Sequence, residues 1–135
     1  MNEKYTMKKL LLTLVLCVLN NSVMAQWSAI ATATGKIYYT NPNTIRKSGN
    51  KVKMWSLIDY NLVQEISANT KFLSQKSQQE YDCKEEQRRT LYFSWHSENM
   101  GKGDVIYTDN KPDNKWSPIP PESTDEILWK FACRN

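Results

Sequence analysis

Histidine occurs once in this 135-residue chain, at His96, and cysteine three times. A structural zinc site wants four Cys or His ligands at characteristic spacing, and the chain beyond its first 25 residues offers only Cys83, Cys133 and His96. A thiol nucleophile would have His96 as its sole base, and no carboxylate stands at a fixed local spacing from it, so a catalytic triad has no support. Glycine is scarce too, with four in all, and the pair in MGKGD (100–104) lacks the strand, loop and helix order of a phosphate cradle. That stretch reads as a hairpin turn, although its Lys102-Gly103-Asp104 resembles an integrin-type tripeptide. No apolar run approaches the roughly 20 residues of a membrane-spanning helix, and there are no repeats or low-complexity tracts. These shortages argue against an enzyme and against a metal or other cofactor.

The longest apolar run, Leu10 to Leu19, follows Lys8-Lys9 and leads to Val23-Met24-Ala25. This is the pattern of a secretory signal peptide over residues 1–25, cleaved after Ala25. Cys17 lies within it, and Leu16 occupies the place where a bacterial lipidation signal needs a small residue. Residues 26–135 then form one small domain. Three of the 18 Lys and Arg and one of the 14 acids belong to the leader, leaving about +2 on the exported part. The basic balance is therefore largely the leader's, and nucleic acid is not an expected partner.

Loss of Cys17 leaves Cys83 and Cys133 in an oxidising compartment, and an even count there reads as a disulfide. Short Val-, Ile-, Tyr- and Trp-rich stretches separated by turn signals predict strands. KIYYT (36–40), KVKMWSLIDY (51–60), residues 76–84, 90–96 and 104–107 fit this pattern, with Ser48-Gly49-Asn50 a tight turn. Pairing Cys83 with Leu91 and Tyr81 with Phe93 across a loop at 85–89 would put Tyr81, Cys83, Leu91, Phe93 and Trp95 on one face, and Glu80, Asp82 and Lys84 in solvent. Ser123 and Glu126 form a capping box for a terminal helix of about ten residues, with Ile127, Leu128, Phe131 and Ala132 as its apolar stripe.

The strand KVKMWSLIDY is apolar on both sides. Val52, Met54 and Ile58 call for the helix stripe, whereas Trp55 and Leu57 face the other way and need a second cover. The segment around Trp27 and Ile30, or a second copy of the chain, would supply it. Tyr92 and His96 share that far face, His96 at its rim. Trp55, Leu57, Tyr92 and His96 are thus the candidate binding residues, for a protein partner or, with His96 as ligand, for a small flat molecule such as haem carried in the periplasm. Arg46, Lys47, Lys51 and Lys53, with Arg88 and Arg89, read as a solvated basic rim that could also meet an acidic partner.

The runs NTIRKSGNKVKMWSLIDY, YDCKEEQRRTLYFSWHS and WSPIPPESTDEILWKFAC resemble the surface-adhesin protein E family, small exported bacterial proteins. Asp82-Cys83 and Trp129 to Cys133 carry the most specific part of the likeness. It implies an α+β fold in which an antiparallel sheet of about six strands packs against a C-terminal helix, with Cys83 bonded to Cys133. It also implies adhesion to a protein, such as a host or cell-surface matrix component, from the periplasm or outer surface of a bacterium.

Overall fold

The computed structural model describes residues 26–134, so the leader, its cleavage site and Cys17 lie outside the described residues. In chain order the elements are β1 (Ser28–Ala33), β2 (Lys36–Thr40), β3 (Arg46–Ser48), β4 (Lys51–Ser67), β5 (Thr70–Asp82), β6 (Gln87–His96), β7 (Val105–Asp109), β8 (Ser117–Pro118) and a terminal helix α1 (Thr124–Arg134). All eight strands join one antiparallel sheet. Its main path runs β1-β2-β4-β5-β6-β7, with β3 extending the sheet beside β4 and β8 beside β6. Single-turn 3-10 segments follow β2 at Pro42–Thr44 and β6 at Asn99–Gly101. Gly49, at φ +59°, turns β3 back into β4, as Ser48-Gly49-Asn50 foretold.

The helix starts where its capping residues dictate. Glu126 N–H donates to Ser123 Oγ at 3.2 Å, and the Glu126 carboxylate accepts from Glu122 N–H at 2.7 Å, one residue earlier than an ideal box. Leu128 and Ala132, four apart, pack on Val52, Met54 and Tyr81 to form the core, with Trp129 and Phe131 at its flanks. Ile127, assigned above to the apolar stripe, is 44% exposed. The Cys83–Cys133 bond sets the helix's rotation, and with Leu128 and Ala132 inward, Ile127 lies about 100° away round the axis. Trp129 Nε1 donates to the Asp82 carbonyl at 3.1 Å, a second tie between α1 and the end of β5.

The β5–β6 hairpin is tighter than the sequence suggested. Tyr81 pairs with Arg88 and Asp82 with Gln87, so Cys83 lies in the turn and opposes no strand residue. The Asp82 carboxylate decides this by accepting the Lys84 and Glu85 N–H groups at 3.0 and 2.9 Å, closing the turn before Lys84 could join the strand. A bulge beside Gln78 and Gln79 leaves Leu91 without a partner and restores Phe93 and Trp95 to Tyr81's face. Glu80 and Asp82, expected in solvent, are buried, because Arg89 and Lys51 bind them at 2.6 and 2.5 Å.

The disulfide fastens an eleven-residue helix that would be marginal alone. Cys133→Ser should lower unfolding stability by about 2–5 kcal/mol in denaturant titrations, and amide exchange in α1 should rise before that in β4 and β5. Equal rises throughout would show that the helix is held independently of the bond.

Candidate functional site

The register sorts the candidate residues. Trp55 pairs with Gln78, which pairs with Tyr92, so the two rings flank Gln78 on the face opposite α1. They meet above it with centroids 5.3 Å apart, and both are half-buried. Leu57, one step along, is fully buried.

The cover over Leu57 is neither the N-terminal segment nor necessarily a second molecule, as anticipated, but the chain's own 97–104 loop. Its Asn99–Gly101 turn packs on β4 and β5. Asp59 Oδ1 accepts from Asn99 Nδ2 at 3.0 Å and Met100 N–H at 2.7 Å, while Ser74 Oγ accepts from Gly101 N–H at 2.8 Å and donates to the Glu98 carbonyl at 2.6 Å. Gly101 has φ +67°, a left-handed backbone that strains any other residue, and a Cβ there would also push the end of the Lys76 side chain aside. Ile30, offered above as cover for the far face, packs against the helix-side core instead.

His96 faces the side expected but not the environment expected. It is 6% exposed, its Nε2 lies 2.9 Å from Ser94 Oγ, and its Nδ1 has no hydrogen-bond partner among the described residues. Burial, reinforced by the Lys76 charge, lowers its pKa from the ordinary 6.5. A neutral, enclosed imidazole is not a rim ligand. The structure therefore brings Trp55 and Tyr92 together, places Leu57 beneath the surface, and withdraws His96 from it.

At the other end of this face Trp116 lies over Lys51 and Arg89, whose charged groups sit 4.7 and 4.8 Å from its ring centroid. Both cations are already paired, with Asp82 and Glu80, and Arg88 pairs with Asp125 at 2.7 Å. The Lys51 ammonium and the Glu85 N–H hold the Asp82 carboxyl below the usual range. Much of the basic rim is thus neutralised internally, which leaves Arg46, Lys47 and Lys53 as its exposed cations.

Three features escaped the sequence reading. β4 and β5 continue past their neighbours as a projecting arm carrying Leu62, Val63 and Ile66, 77, 54 and 61% exposed. Edge strand β7 exposes Val105, Ile106 and Tyr107. On the helix side, α1 covers only the end of the sheet around Met54 and Tyr81, and beyond its N-terminus a groove of about 580 Å³ opens between Tyr38, Ile58, Phe93, Trp95 and the Ser123–Asp125 turn. The strand at 51–60 gave the only local signal for the arm, since the mixed sequence Asn61–Ser67 has no clean alternation. Among the described residues, no group of three or more His, Cys, Asp or Glu could hold a metal ion, and no helix is long and apolar enough to cross a membrane.

Comparison with known proteins matches residues 27–134 to the surface-adhesin protein E family. The fold is similar to Haemophilus influenzae protein E in its crystal form II, with TM-score 0.65 and 12% identity over 84% of this chain and 91% of that one. It is likewise similar to protein E from non-typeable Haemophilus influenzae, with TM-score 0.62 and 12% identity over 85% and 80% of the two chains. No curated protein matches the chain in sequence.

The enclosure of His96 has a pH signature. Its folded pKa lies below the unfolded value of about 6.5, so the unfolded chain takes up the proton first. The stability contributed by keeping His96 neutral is complete above about pH 6.5 and is lost as the pH falls towards the folded value. Asp82, whose unfolded value is near 3.8, loses its contribution only in a more acidic window. Urea midpoints should drop between about pH 7.5 and 5.5 in the wild type, and the drop should shrink in His96→Gln. An unchanged drop in the variant would show that His96 titrates normally.

Proposed function

The chain belongs to the surface-adhesin protein E family, and on that premise we propose that it is an exported, adhesin-like binding module, not an enzyme, that recognises another protein through the sheet face opposite α1. The observation that carries this reading is the Trp55–Tyr92 pair, in contact and half-buried on a stretch of sheet that neither α1 nor the 97–104 loop closes. Aromatic side chains of this kind concentrate binding energy at protein interfaces, since they bury large area at little rotamer cost. Leu57, on the same face one step along β4, is fully buried. The partner is a host or cell-surface matrix protein, or a second copy of the chain, reached after the leader is cleaved at Ala25. The carrier reading is weaker, because the enclosed His96, engaged by Ser94, cannot join Trp55 and Tyr92 on a flat ligand.

Trp55→Ala should shift the denaturant midpoint little but weaken association by at least about 1 kcal/mol, as truncation of an interface aromatic commonly does. Sedimentation reads self-association, and plates coated with purified matrix proteins read the alternative partner. A wild type that neither self-associates nor adheres, with a Trp55→Ala midpoint that collapses, would reduce Trp55 to ordinary core.

A further inference from the structure

We propose that the groove on the helix side of the sheet binds a neutral saccharide of one or two rings. Its floor is set by strand register. One transverse row runs Thr40, Ser56, Ser77, Phe93 and the next Tyr38, Ile58, Gln75, Trp95. In the first row Ser56 and Ser77 line the groove with their Oγ atoms bonded at 3.1 Å, while Thr40 is fully buried outside the lining. The floor dips there, and the rings of Tyr38, Phe93 and Trp95 stand higher at its sides. The volume of about 580 Å³ falls within the range usual for small-ligand sites.

The polar groups select the ligand class. Trp95 Nε1 donates to Gln75 Oε1 at 2.9 Å, which fixes the amide plane and leaves its nitrogen without a partner among the described residues. Gln79, four residues along on the same face and about 13 Å away, is oriented in the same sense by Arg88 at 3.5 Å. Arg88 is paired with Asp125, so the lining carries no net charge from these groups. The walls thus offer fixed amide donors, hydroxyls that both donate and accept, and a carboxylate acceptor beside aromatic rings. A sugar presents the complement, hydroxyls that each donate and accept around an apolar C–H face.

Other ligand classes fit less well. A sulfated or phosphorylated ligand would lack a net positive charge to meet it. A purely apolar ligand would strip water from the amides and hydroxyls without replacing their hydrogen bonds. An extended peptide pairs with an open strand edge, whereas this floor is the face of central strands whose backbone groups are already paired.

The test uses the mature exported chain with lactose, N-acetylglucosamine, its β-1,4 dimer and mannobiose as neutral probes, and N-acetylneuraminic acid as the anionic one. Saturation-transfer NMR and tryptophan fluorescence should detect at least one neutral probe and give a saturable isotherm. Gln75→Ala, which removes a donor, and Thr90→Trp, which fills the groove from Thr90's lining position on β6, should each weaken it tenfold or more while the melting temperature stays within a few degrees. Tyr92→Ala, on the opposite face, should bind the sugar as the wild type does. Silence from every neutral probe at millimolar concentration would overturn the proposal. So would binding of the anionic probe alone, or binding that survives both groove variants. Because the protein-recognition reading is tested on the other face with Trp55→Ala, the two can fail separately.

Discussion

One short helix must close one face of a sheet whose main path is six strands wide. Eleven residues of helix extend about 16 Å, enough for the end of the sheet around Val52, Met54 and Tyr81 and no more. The Cys83–Cys133 bond chooses which end. By joining the last turn of α1 to the β5–β6 turn it directs Leu128 and Ala132 onto Met54 and Tyr81, and the remaining strand surface stays open as the groove. Core and cavity are therefore two results of one mismatch in length.

The opposite face solves its exposure without a helix. The 97–104 loop folds over Leu57 at one end, Trp116 lies over the Lys51–Asp82 and Arg89–Glu80 pairs at the other, and Trp55 with Tyr92 remains between them. Burying Glu80 and Asp82 is tolerable because each carboxylate has a cation within 2.6 Å, and Asp82 also receives turn N–H groups. The same pairs consume charges that a sequence displays as a basic rim. Charge counted along a chain overstates the charge that a partner meets.

The disulfide, the helix cap and the two-sided character of β4 were legible because each rests on local chemistry or a two-residue period, and the fold class was legible through the resemblance to the protein E family. The β5–β6 register was not. It depended on the Asp82 side chain terminating the strand early and on a bulge that removed Leu91, and two departures in one hairpin preserve the face of Phe93 and Trp95 while changing every partner. His96 was placed on the correct side but in the wrong medium, because its burial depends on tertiary packing around a loop held by Asp59 and Ser74, partners distant in sequence. The groove was invisible for a simpler reason: its floor joins residues from four strands, and Ser56, Gln75 and Ser77 look unremarkable one at a time.

The projecting arm has a kinetic consequence. Past Asn61 and before Phe72, β4 and β5 pair with each other alone among the described residues, with an irregular register and pairs such as Glu65 with Lys71 and Ser67 with Thr70. Leu62, Val63 and Ile66 are already largely exposed, so little hydrophobic burial opposes opening of the tip, whereas Phe72, buried and stacked on Trp95, anchors its lower end. At the base, separating Val52 from Tyr81 would also unseat α1 and its core. One continuous hairpin thus joins a segment whose amides exchange by local fraying to a segment whose amides exchange only when the whole domain unfolds. A protease that samples the folded protein would meet a cleavable tip on a base that does not yield.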